Sequence, residues 1–170
     1  VYMISYVMDA ALLMKQSKEL KLSPKLFVGA GAGYTMPAYR ENAGIASEKT
    51  ISATLWHQSL PVPGATDYYN AYIAKYDDKS PPDYHGVEAY AAAYVVKDAI
   101  ERAQDLKSAS IKTALDGTDM MTAFGPVKFI AYDAKINQNK METYVVQWIN
   151  GNLELIWPKH LAKVEAVYPI

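Results

Sequence analysis

The stretch LFVGAGAGYTMP at residues 26–37 constrains the fold more than any other. Residues 26–28 predict a short buried strand. Gly29, Gly31 and Gly33 follow at every second position, ahead of the aromatic Tyr34. Glycines spaced this way admit positive φ and let a backbone or a ligand approach closely. In an open α/β sheet, ligands sit outside the carboxyl ends of the strands. The loop is therefore expected to face a cleft or another piece of the chain.

The flanking segments predict such a sheet. Residues 1–5 read as a buried strand. Asp9 is placed to cap a helix over residues 10–20, with Ala10, Leu12, Leu13 and Leu20 as apolar positions. A turn at residues 21–24 leads into the glycine stretch. Pro37 opens a short helix ending near Asn42 and Gly44, and TISATLW at residues 50–56 is β-rich. Strand–helix–strand–helix–strand is the pattern of a parallel sheet with crossover helices.

The composition then changes. SLPVPGAT at residues 59–66 carries two prolines and a glycine and predicts a linker. Thr66 is expected to cap a helix reaching Tyr76, followed by a loop at residues 77–83. The longest helix is expected over residues 84–104, packing through Ala89, Ala92, Ala93, Val96 and Ile100. Ser108 is placed to cap a further helix that ends at Gly117. Residues 127–132 predict a strand and residues 133–140 a polar loop. Asn150-Gly151 predicts a tight hairpin between strands at residues 143–149 and 153–157.

Composition narrows the function classes. A formal net charge of -1 argues against a nucleic-acid partner, which needs a basic face. Cysteine is absent, which excludes disulfides, a Cys-based zinc site and a thiol nucleophile. The 14 Tyr against 3 Phe suit polar clefts, or a tyrosine-rich surface. The chain opens directly in the apolar run VYMISYVM, with no Met start and no leader-like segment. This reads as a piece of a longer protein.

No catalytic constellation emerges. Gly29, Gly31 and Gly33 give G-x-G-x-G, short of the G-x-G-x-x-G dinucleotide fingerprint, and Glu48 precedes a strand instead of ending one. His57, His85 and His160 have no metal-ligand spacing. Ser5 at a strand end lacks the G-x-S-x-G context of a nucleophile. Asp77-Asp78 and the Asp116/Asp119 pair read as solvated turn residues. Met3, Met8, Met14 and Met36 read as core filling. The expectation is a ligand cleft in a protein that is not an enzyme, with no cofactor and no metal.

The segments YMISYVMDAALLMKQSKELKL, LFVGAGAGY, PPDYHGVEAYAAAYVV, FGPVKF and YVVQW follow one another in a recognisable order. Together they resemble the C-terminal part of type I periplasmic substrate-binding proteins of ABC transporters, of the branched-chain amino acid or leucine-binding kind. The resemblance implies an α/β fold: parts of two doubly wound, hinge-linked lobes of the Venus-flytrap kind. Residues 1–58 would belong to the second lobe, 59–64 to a hinge crossing and 65–135 to the first lobe. Residues 136–140 would cross again, and 141–170 would form the second-lobe return and tail.

It also implies an extracytoplasmic, periplasmic solute-binding component. Its ligand would be a small polar or aromatic solute of amino-acid or carboxylate type, and its partners a membrane permease and the N-terminal half of the same protein. Tyr6 matches the family's ligand-contacting aromatic, and Ser5 and Tyr6 precede a helix N-terminus suited to an anion. Gly31 stands where amino-acid-binding relatives carry an acid, and neither Ala30 nor Ala32 replaces it. Glu88 is one substitute for that acid; otherwise the ligand is not an α-amino acid. Tyr84 or His85 would line the first-lobe wall. Tyr34 and Trp56 join the candidate site from the strand-end argument alone. The alternatives are a ligand-sensing domain of a receptor or regulator, and an α/β nucleotide-dependent enzyme.

Overall fold

A computed structural model describes residues 1–76 and 81–169. The Asp77-Asp78 pair and most of the loop expected around it lie outside those residues. The first half builds β1 (Tyr2–Ile4), α1 (Val7–Glu19), β2 (Val28–Ala30), α2 (Pro37–Ala43) and β3 (Ile51–Thr54). β1 pairs with β2, and β2 with β3, all parallel, with Met3 opposite Gly29 and Gly29 opposite Ser52. The crossover pattern in the sequence therefore gives the sheet it predicts.

The chain then leaves this sheet. It forms α3 (Ala65–Tyr76), α4 (Tyr84–Arg102) and α5 (Ser108–Asp116), and a second antiparallel sheet of β4 (Asp119–Thr122), β5 (Gly125–Tyr132) and β6 (Lys135–Asn139). It returns as the hairpin β7 (Tyr144–Ile149) and β8 (Asn152–Trp157), completing the order β1-β2-β3-β7-β8. Asn150 and Gly151 have φ of 52° and 83°, the left-handed pair a tight hairpin requires.

Several local expectations need correction. β2 starts at Val28, so Gly29 lies inside a strand, not in the loop. α1 starts at Val7 with extended Tyr6 as its N-cap and no side-chain cap, while Asp9 sits within the first turn, where its charge complements the helix dipole. α1 buries Ala10, Ala11 and Met14, leaving Leu12, Leu13 and Leu20 exposed. α3 begins one residue before Thr66, and α5 is preceded by Lys107, making Ser108 a first-turn residue. The buried row of α4 is Val87, Ala91, Val95 and Ala99, an i,i+4 row in which small and branched residues alternate. Val96 and Ile100 stay exposed. Residues 135–139, read as loop because they are polar, form β6; it pairs antiparallel with β5, Phe129 opposite Asn139. An exposed edge strand needs no apolar alternation, which is why its sequence carries none.

Two cores hold these parts. Met3, Ala10, Ala11, Met14, Phe27, Tyr34, Tyr39 and Trp148 pack between the large sheet and its helices. Trp56, Leu60, Val87, Phe124, Val146 and Leu155 pack α4 and the second-sheet loop against β7 and β8. Gln147 is fully buried and ties the tail down: its amide donates to Lys49 O and Val167 O and accepts from Val167 N–H.

Candidate functional site

The glycine loop is built around one buried ring. Gly31 has φ 82°, and Ala32–Tyr34 form a 3-10 turn that folds Tyr34 back over Gly29. A Cβ on Gly29 would stand 2.6 Å from Tyr34 Cδ1 and nearer still to Cγ. A Cβ on Gly33 would stand 2.8 Å from the Tyr6 carbonyl carbon and collide with Ser5 O. The Tyr34 hydroxyl and Ser5 Oγ are 2.7 Å apart. The Tyr34 ring meets Tyr39 edge-on at 5.3 Å, and Trp148 Nε1 donates to Tyr34 O at 2.8 Å. Tyr34 is therefore a core residue with no exposed surface, and the expectation that it lines the cleft is corrected. Burial raises its phenol pKa, opposed by the Ser5 hydrogen bond. The neighbouring Tyr39 is pushed up to about 12, chiefly by burial.

Gly31 differs from its two neighbours, because a Cβ there meets nothing within 4 Å. It opens onto a hollow of about 670 Å³ at the carboxyl ends of β1 and β2. Ser5, Tyr6, Gly31 and Ala32 line this hollow together, with Asp9 and Leu13 of α1. The first intrahelical bond of α1 is Ala10 N–H to Tyr6 O at 2.8 Å, which leaves the N–H groups of Val7, Met8 and Asp9 ahead of it. Those donors and the helix dipole favour an anion. Asp9, in the same hollow, can meet a cation. Asp9, expected as the helix cap, is instead part of the wall of this hollow.

Tyr84 stands elsewhere. With Trp56, Trp148, Thr35, Asp83 and Glu154 it lines a second cavity of about 280 Å³, where the large sheet faces the start of α4. The residues 31–35 run between the two spaces: Gly31 and Ala32 face the first, Thr35 the second. Trp56, added from the strand-end argument, lines this second cavity, while its Nε1 donates to Ala123 O at 3.0 Å. His85 is exposed, stacks on Tyr84 at 4.0 Å and lies 3.3 Å from Asp83 Oδ2. Glu88 is half-buried; burial raises its carboxyl pKa, with His85 opposing and Asp83 adding. The structure thus groups Ser5, Tyr6, Gly31 and Ala32, and sets Tyr84 and His85 apart from them. Among the described residues no group of three or more His, Asp or Glu is placed to hold a metal ion.

His57 ties the start of the linker to β8 of the large sheet. Its ring is buried, with Nε2 3.0 Å from Leu153 O and Nδ1 accepting from the Ser59 N–H at 3.2 Å. Two backbone partners of opposite kind fix the neutral Nε2–H tautomer. Burial lowers the His57 pKa, Lys163 lowers it further, and the Leu153 contact opposes them. The folded pKa lies below the unfolded value of about 6.5, so this contribution is complete above that pH and is lost as pH falls toward the folded value. His57→Gln is expected to flatten the decline in unfolding free energy as pH falls below about 6.5. An unchanged pH profile in urea melts contradicts this role.

Comparison with known proteins places this geometry. Residues 1–152 match the family described as periplasmic binding protein. Leu/Ile/Val-binding protein homolog 7 of Brucella suis is 27% identical over 180 residues, covering 99% of this chain and 43% of its own length. Homolog 8 of Brucella abortus is 29% identical over 171 residues, covering 95% and 41%. The chain therefore spans well under half the length of these curated relatives. Among solved structures, the leucine-binding protein LivK of Thermotoga maritima superposes with a TM-score of 0.78 at 24% identity, over 91% of this chain and 42% of that one. The substrate-binding protein LivJ of Streptococcus pneumoniae, a branched-chain amino acid transporter component solved with isoleucine, gives 0.76 at 20% identity, over 99% and 44%. The α/β arrangement is that of part of a type I periplasmic binding protein, and the chain belongs to the periplasmic binding protein family.

Proposed function

We propose that the protein is the extracytoplasmic solute-binding component of an ABC importer and that it captures a small carboxylate-bearing solute at the strand-end hollow. The observation that carries this reading is the uncapped start of α1, opening beside Ser5, Tyr6, Gly31 and Ala32. The free N–H groups of α1 take the carboxylate, and Tyr6, 81% exposed, offers its ring to an apolar body. Gly31 leaves room beside it and brings no charge, so an ammonium group in the ligand turns to Asp9.

Closure brings the two parts together about the linker at residues 59–64 and the passage between β6 and β7, which takes the place of the crossing expected at residues 136–140 because those residues lie almost wholly in β6. Tyr84 and His85 belong to the part that closes. The closed, loaded form is handed to a membrane permease. No described helix is long and apolar enough to cross a membrane.

A thermal-shift panel tests the reading: branched-chain and aromatic amino acids, the matching carboxylates without the amine, their neutral amides, and nicotinamide and flavin nucleotides. A solute at hundredfold excess over its Kd stabilises by about 2.7 kcal/mol. For a chain of this size that is roughly 5–10 °C in Tm. Carboxylates are expected to shift Tm and their amides not. Stabilisation by nucleotides alone overturns the reading.

A further inference from the structure

The parallel part of the large sheet has one covered face and one open face. Met3, Gly29 and Ser52 stand side by side in register and are buried, and Met3 packs with Ala10 and Met14 of α1 and Tyr39 of α2. Successive side chains point to opposite faces of a sheet. The other face therefore carries the row Tyr2, Val28 and Ile51 and, two residues on along each strand, the row Ile4, Ala30 and Ala53. All of these are apolar. Tyr2 is 66% and Ile4 76% exposed, Ala53 is exposed, and Val28, Ala30 and Ile51 are half-buried. Parallel strands are ordinarily covered on both faces, because both are apolar. On this face the tail covers the first row at its far end, where Gln147 stands opposite Ile51 and is bonded to Val167. It leaves Tyr2 and Ile4 bare.

The backbone of β1 is open at the same two residues. The Val1 amino group donates to Leu26 O at 2.8 Å, and the Val28 N–H donates to Val1 O at 2.9 Å. Along a parallel strand the backbone groups turn alternately to one side and the other, so Tyr2 and Ile4 direct their N–H and C=O away from β2. β1 ends the strand order, and among the described residues no strand receives those groups. The edge strand β6 is polar, but β1 reads Tyr-Met-Ile, with neither the charge nor the proline that guards a free edge. Handedness limits what fits. The connections from β1 toward β3 put α1 and α2 on the Met3 face, as right-handed crossovers do. A right-handed connection that leaves a strand beside β1 and runs outward puts its helix on the opposite, open face. The curated relatives have chain for such a unit, since this sequence covers 43% and 41% of their lengths.

We propose that the free edge of β1 and the face carrying Tyr2, Ile4, Val28 and Ile51 are the docking surface for a strand–helix unit from the N-terminal half of the same protein. The strand runs parallel to β1 and takes up the backbone groups of Tyr2 and Ile4. The helix lays its apolar stripe over the two rows. Ser5, Tyr6, Gly31 and Ala32 follow the strand ends and belong to neither row. The proposal rests on membership of the periplasmic binding protein family and stands whether or not the strand-end hollow binds a carboxylate.

Co-expression of this chain with a tagged probe tests it, the probe being the portion of Leu/Ile/Val-binding protein homolog 7 of Brucella suis outside the 43% matched here. The two are expected to co-purify as a 1:1 complex. In that complex the Tyr2 and Ile4 amides should exchange with deuterium at least about tenfold more slowly than in the chain alone. Ile4→Asp is expected to cut the recovered complex about tenfold, because it places a charge in the docked face. Leu20→Asp, at an equally exposed apolar residue away from that face, should leave recovery unchanged. Circular dichroism of each variant chain alone checks that it is folded. Failure to co-purify, a complex in which the Tyr2 and Ile4 amides gain no protection, or one indifferent to Ile4→Asp would each overturn the proposal. So would a dimer of the chain alone in sedimentation equilibrium that Ile4→Asp dissociates, since a second copy would then cover the face.

Discussion

Gly29→Ala is expected to cost about 3 kcal/mol in urea unfolding, near the upper end for overpacking a core. The added methyl would overlap the Tyr34 ring, which is fully buried and bound at its far end to Ser5. The ring has nowhere to go without breaking that hydrogen bond and its edge contact with Tyr39. In a Tyr34→Ala background the obstacle is gone, and the same Gly29→Ala change is expected to cost less than about 1 kcal/mol. Gly33→Ala should find no such relief, since its obstacle is the Ser5–Tyr6 backbone. Additive costs in the double variant contradict the packing role assigned to these glycines.

Trp148→Ala is expected to be the more damaging change, at about 3–5 kcal/mol. Trp148 is 5% exposed, packs against Tyr39 at 6.1 Å and supplies the N–H that satisfies Tyr34 O. Truncation opens a cavity and also strands a buried carbonyl. Trp148→Phe keeps much of the volume but not the donor, so it should cost about 1–3 kcal/mol. The difference between the two variants in denaturant melts separates packing from hydrogen bonding. A Phe variant as stable as the parent would show that the Trp148–Tyr34 hydrogen bond adds nothing to stability.

Both variants act on the loop at residues 29–35, and that loop shows how far the sequence could be read. The parallel start of the sheet was legible because strand and helix periods alternate cleanly up to Trp56. The hairpin at Asn150-Gly151 was legible because few residues tolerate two left-handed positions in succession. Resemblance to a known family carried the rest of the architecture. The roles of the three glycines were not legible. Spacing alone cannot tell a glycine that admits a ligand from one that admits a neighbouring ring, and Gly29 and Gly33 are of the second kind. Only Gly31 faces open space.

The same limit applies to Tyr34 and Asp9. An aromatic after a glycine loop reads as a wall until a Ser5 hydroxyl is found at its tip. Asp9 reads as a cap until α1 is seen to begin three residues earlier than expected, at Val7. β6 escaped because an exposed edge strand can be polar on both faces.

The proposed site holds a carboxylate-bearing solute at the start of α1. Hydrogen–deuterium exchange of backbone amides, with and without the carboxylate that gives the largest thermal shift, tests it most directly. Slowed exchange is expected at the Val7, Met8, Asp9, Gly31 and Ala32 amides, with the largest effect at the first turn of α1. Unchanged exchange at those amides in the presence of saturating solute, or protection confined to the Trp56 and Tyr84 cavity, would contradict it.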